Sequence, residues 1–95
     1  MYKATIEMNP KYENAHYNLA DLLQYEFDDK KGAKESYETT IEINPENAEA
    51  HGNLAILLKD KFNDFQGAKK YYLIAITLKP SFRSEKYDKY FGISN

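Results

Sequence analysis

Residues 10–45 return 35 positions later as residues 45–80. Ala15-His16-x-Asn18-Leu19-Ala20-x-Leu22-Leu23 becomes Ala50-His51-x-Asn53-Leu54-Ala55-x-Leu57-Leu58. Further on, Phe27-x-Asp29-x-x-Gly32-Ala33-Lys34 becomes Phe62-x-Asp64-x-x-Gly67-Ala68-Lys69. Tyr37 answers Tyr72, and Ile41 answers Ile76. The register also runs backward, with Tyr2, Thr5-Ile6-Glu7 and Asn9-Pro10 matching Tyr37, Thr40-Ile41-Glu42 and Asn44-Pro45. A period in this range marks stacked supersecondary units, each too small to bury its apolar face alone.

Apolar residues recur at spacings of three and four within each unit, so the units are helical. The pattern predicts helices over residues 1–9, 13–25, 30–43, 48–60, 65–79 and 81–91, about six in all. Pro10, Pro45 and Pro80 close the units, because the residue before a proline is pushed out of the α region. Asp28 and Asn63 are residue types that tolerate a left-handed backbone, and Asp29, Asp64 and Asn47 are candidate N-caps. Residues 65–79 are apolar around most of the helix and call for cover on both sides. The tail is the candidate cover, with Tyr87, Tyr90 and Phe91 folding back over Tyr72 and Ile76. It breaks the repeat, since Lys86 and Lys89 stand where His51 and Leu54 stood, as a terminal unit facing water should. The chain therefore reads as one domain: residues 1–10 as the second helix of a partial repeat, 11–45 and 46–80 as repeats, and 81–95 as a capping helix and tail. From the start in mid-repeat, the chain is expected to be a fragment of a longer protein.

Composition removes whole classes of function. A net charge of −2 offers no basic field for nucleic acid. No apolar run has the length of a membrane-spanning helix, and residues 1–10 lack a signal-peptide core. With no Cys, disulfides and thiolate chemistry are excluded, which is compatible with a reducing cytosol and a cytoplasmic location.

The helix-turn-helix unit, with small residues where its helices cross, resembles the tetratricopeptide repeat over residues 2–80. The resemblance puts the family's small crossing residues on Ala20, Ala33, Ala55 and Ala68. It puts the large leucine-type positions on Leu19, Leu23, Leu54 and Leu58, the second-helix aromatic on Tyr37 and Tyr72, and the closing proline on Pro45 and Pro80. It implies an all-α, right-handed superhelical stack of antiparallel helix pairs. The unit is one residue longer than the usual 34, with the extra residue placed near Phe27 and Phe62, and His16 and His51 replace the family's bulky residue early in the first helix. The pentatricopeptide repeat, an RNA binder, shares the 35-residue period, but Asp21, Glu49 and Asp60 would meet the RNA with negative charge.

Candidate chemistry is sparse. His16 and His51 lie a repeat apart with no companion ligands, so neither is expected to hold metal; each reads as a packed histidine with one ring nitrogen bonded to backbone. Ser36, Ser81 and Ser84 lack a nearby base, and Gly32 and Gly67 form no phosphate-cradling loop. No enzyme activity and no cofactor are expected. What remains is the concave surface that first helices line in such stacks. Residues free of packing duty there are Asn14, Tyr17, Asn18, Asp21, Gln24, Glu49, Asn53, Ile56 and Lys59. They suit a protein or peptide ligand, an extended segment or a partner's helix, although Asn18 and Asn53 would also recur on a merely solvated face. The carboxylate clamp by which some tetratricopeptide proteins hold chaperone tails maps to Tyr17, Asp21, Asn53, Ser84 and Asp88, where only Asn53 fits. The alternative function is structural, with complementary ends stacking copies head to tail.

Overall fold

The computed structural model describes residues 10–93. They form α1 (Pro10–Tyr25), α2 (Lys30–Ile43), α3 (Ala48–Lys61), α4 (Phe65–Leu78), a 3₁₀ turn (Pro80–Phe82) and α5 (Glu85–Phe91). The chain is all-α, with no strand among the described residues. The helix expected over residues 1–9 lies outside them. Helix α1 includes Pro10, ahead of the expected start, and proline is tolerated in a first turn because its missing N–H would have no partner there.

Two antiparallel pairs, α1 with α2 and α3 with α4, carry the most extensive packing, and α2 lies against α3 to join them. The long axis grows with each pair, giving extents of 44 × 27 × 18 Å. The turns inside the pairs follow from their sequence. Asp28 and Asn63 adopt φ of 53° and 52°. The N–H groups of Asp29 and Asp64 then reach back to the carbonyls of Leu23 (2.7 Å) and Leu58 (3.0 Å). The Asp29 carboxylate accepts from the Gly32 N–H and that of Asp64 from the Gly67 N–H, each at 2.9 Å. Glycine is needed for this close approach, since a Cβ at either position would lie 2.4 Å from the capping carboxylate. Asn47 caps α3 in the same way, accepting from the Ala50 N–H at 2.9 Å.

Ala20, Ala33, Ala55 and Ala68 are buried at the helix crossings, beside Tyr37, Leu54 and Leu57. The repeat is not uniform. Leu54 is 0% exposed, but its counterpart Leu19 is 42% exposed. Helix α3 packs extensively against both α2 and α4, whereas α1, the first described helix, has its extensive packing with α2.

The tail differs from the expected single helix. Pro80 opens a 3₁₀ turn, Arg83 leaves the helical region at ψ 131°, and Ser84 caps a separate α5 through the Tyr87 N–H. Phe91 is buried against Tyr72, with ring centroids 5.3 Å apart, and Tyr87 meets Tyr72 edge-on at 6.0 Å. Tyr90 does not fold over Tyr72; it leans on Phe65 at 5.7 Å and stays half exposed. The cover over α4 is also partial, since Phe65, Leu73 and Leu78 remain exposed. A seven-residue helix spans only about 10 Å at 1.5 Å per residue, half the length of α4.

Candidate functional site

Side chains of α1 and α3 meet in a hydrogen bond: the Asn53 amide donates to the Tyr17 hydroxyl at 2.6 Å. Two depressions adjoin at this bond. Tyr17 belongs to a polar hollow with Glu13, Asn14, Glu46, Glu49 and the amides of Asn44 and Asn47. Asn53 belongs to an apolar pocket of about 170 Å³ with Gly52, Ile56 and Lys59 of α3, Tyr72 and Ala75 of α4, and Phe82, Tyr87 and Phe91 of the tail.

The polar hollow is built by the loop between pairs. Asn44 and Asn47 both donate to one Glu13 carboxylate oxygen, at 2.9 and 2.8 Å, which ties the loop to α1. Glu49 lies in the first turn of α3 and pairs with Lys79 at 3.2 Å. The backbone N–H at that helix start, followed by Lys79, holds its carboxyl below the usual carboxylate range. Burial, reinforced by Asp21, pushes the Tyr17 hydroxyl up, partly offset by the Asn53 bond.

On the far side of Tyr17 lies Tyr37, edge-on at 6.0 Å. Its hydroxyl donates to Asp21 and lies 3.3 Å from the Gln24 side-chain amide. Burial and that bond to Asp21 raise its pKa strongly. In the second unit the position of Asp21 is held by Ile56, so Tyr72 turns to the tail instead. The Tyr72 hydroxyl accepts from the Ser84 N–H at 2.8 Å and donates to Asp88 at 2.7 Å, while Arg83 donates to the other Asp88 oxygen. Arg83 first, then Tyr72, lowers the Asp88 pKa.

The nine residues singled out from the sequence are therefore divided. Asn14, Tyr17 and Glu49 line the polar hollow, and Asn53, Ile56 and Lys59 the apolar pocket. Asp21 and Gln24 are engaged by Tyr37, and Asn18 is exposed and lines neither depression. The Lys59 ammonium pairs with Asp60 at 2.7 Å and sits over the Tyr90 ring at 5.1 Å. The pocket's aromatic wall, Tyr72, Phe82, Tyr87 and Phe91, was missed. One signal was available: Phe82 occupies the repeat position of the capping Asn47, an aromatic where a cap belongs.

His51 is buried, stacked on Tyr71 at 5.7 Å, and donates from Nε2 to the Pro45 carbonyl at 2.8 Å, leaving Nδ1 without a partner. Among the described residues, no group of three or more His, Asp or Glu side chains could hold a metal ion, and no helix is long and apolar enough to cross a membrane.

Paired helices stacked in register, with side chains of successive first helices sharing one surface, define a helical-repeat scaffold. The family model described as tetratricopeptide repeat matches residues 13–47, a second model of the same description matches residues 36–70, and the chain belongs to the tetratricopeptide repeat family. Repeats of this family generally mediate protein–protein interaction and are typically non-catalytic. No curated protein matches the chain.

Proposed function

We propose that the chain binds a peptide or a partner's helix along the surface where side chains of α1 and α3 meet. The observation that carries this reading is the Asn53–Tyr17 bond, which brings a residue of the apolar pocket against one of the polar hollow and supports reading the two as one trough. Selection from a random peptide display library tests it, with Ile56→Asp as the counter-target. The variant puts a charge into the pocket at a half-buried position, so the fold survives while an apolar anchor loses its site. Peptides enriched on the native chain and lost on Ile56→Asp are the expected result. Equal enrichment on both would refute the trough.

End-to-end stacking is the second reading, favoured by the exposed Leu19 and Leu22 on α1 and Leu73 and Leu78 on α4. Against it stands Phe91, buried over Tyr72, which covers part of the α4 face that stacking would use. Light scattering separates the two: heterologous contacts make the solution mass climb with concentration, and a constant monomer mass rejects stacking.

A further inference from the structure

We infer that the partner is an extended peptide carrying an aliphatic or aromatic side chain beside a basic one, the first seated in the apolar pocket and the second in the polar hollow. This rests on the trough reading above and names the occupant. The pocket walls are Gly52, Ile56, Ala75, Phe82, Tyr87 and Phe91, and its volume is about 170 Å³. An apolar cavity of about 150 Å³ takes a benzene ring, so one Leu- or Phe-sized side chain fills this one. The hollow next to it holds the carboxylates of Glu13, Glu46 and Glu49. Among the described residues Glu13 is met by the neutral amides of Asn44 and Asn47, and Lys79 is the ammonium that pairs with Glu49. The balance there is negative and complements Lys or Arg.

The bond between the two depressions also offers partners to a peptide backbone. The Tyr17 hydroxyl accepts from Asn53, so its own proton is uncommitted among the described residues, as is the Asn53 carbonyl oxygen. One free donor beside one free acceptor matches a peptide group, whose C=O and N–H need both. An extended chain places residues i and i+2 on the same side, about 6.5 Å apart at 3.2–3.4 Å per residue. A peptide held at Tyr17 and Asn53 by its backbone therefore offers its apolar and basic side chains two positions apart.

The test uses the full chain labelled with ¹⁵N and three capped hexapeptides: Ala-Ala-Leu-Ala-Lys-Ala, the same with Glu for Lys, and the same with Ala for Leu. Amide shifts on α1 and α3 report the site and their titration the affinity. The Leu–Lys peptide is expected to bind best, with binding about tenfold weaker when Leu becomes Ala, in line with burial of one aliphatic side chain. The Glu peptide is expected to bind several-fold more weakly, a gap that narrows in high salt. Tyr17→Phe keeps the ring and removes the donor, and should weaken the Leu–Lys peptide while preserving the ranking. Shifts on α1 and α3 that are equal for the three peptides, or larger for Glu than for Lys, would overturn this inference and leave the trough reading standing. Shifts elsewhere, or none with any peptide, would overturn both.

Discussion

Replacing Phe91 by Ala tests whether α5 is part of the folded unit or an ornament on it. Phe91 is 3% exposed, and its ring centroid lies within 5.3 Å of Tyr72, 5.6 Å of Phe65 and 4.9 Å of Tyr90. Burying a Phe side chain contributes about 1.5–3 kcal/mol. A Phe→Ala change deep in a core costs about 3–5 kcal/mol because a cavity is left behind. Helix α5 is short and terminal, so it can undock rather than enclose a void, and the smaller figure applies. For a domain of this size, 1 kcal/mol moves the melting temperature by about 4–8 °C, so a fall of about 6–24 °C is expected. Calorimetry measures the melt, and hydrogen exchange localises the loss at the Ser84 amide, which is held by the Tyr72 hydroxyl. Phe91→Leu, which keeps most of the apolar volume, should lose less than about 1.5 kcal/mol. If Phe91→Ala melts within about 2 °C of the native chain and the Ser84 amide stays protected, the reasoning that α5 seals the α4 face is wrong.

Asp64→Ala removes the cap on the Gly67 N–H and should cost about 1 kcal/mol in a denaturant titration. Gly67→Ala should be close to neutral, because the lost cap is offset by a helix-propensity gain of about 0.8–1.0 kcal/mol. The raised Tyr37 pKa means the folded state keeps a proton that the unfolded state gives up above about pH 10. Stability is then intact below that pH and lost as pH rises, and the alkaline decline should be shallower in Tyr37→Phe; identical profiles would contradict this. Asp88 has a lowered pKa, so its contribution is present above the ordinary carboxylate pKa of about 3.9 and lost as pH falls through the lower, folded-state value. Asp88→Asn should accordingly lower the melting temperature at neutral pH, with the difference from the native chain closing in strong acid.

The parts of this fold that depend on neighbours in sequence were legible. A repeat at fixed offset gives the helices, and the Asp–x–x–Gly spacing after a residue that tolerates positive φ gives the turns at Asp28 and Asn63. The tail was harder. Ser81 and Phe82 look helical by spacing, but Pro80 fixes a 3₁₀ turn and Ser84 starts the helix anew. Hydrogen bonds that cross between elements were not legible at all. Periodicity puts Asp21 and Gln24 on an outward face, yet nothing in it says that Tyr37 can reach both. For the same reason the apolar pocket was half seen: Asn53, Ile56 and Lys59 lie on one helix face, while Phe82 and Tyr87 arrive from a segment outside the repeat.

Because the principal contacts run between elements adjacent along the chain, the molecule has the mechanics of a folded ribbon. Pulled along its length, the described residues oppose separation of the pairs with the α2–α3 packing and a few side-chain bonds, Glu13 to Asn44 and Asn47, Asn53 to Tyr17 and Lys79 to Glu49, so each helix pair can give way in turn. A unit of 35 residues, extended at up to about 3.6 Å each, releases roughly 120 Å of chain. Tension would then be met by stepwise lengthening at low force, and the neighbouring pair could stay folded while its partner is stretched.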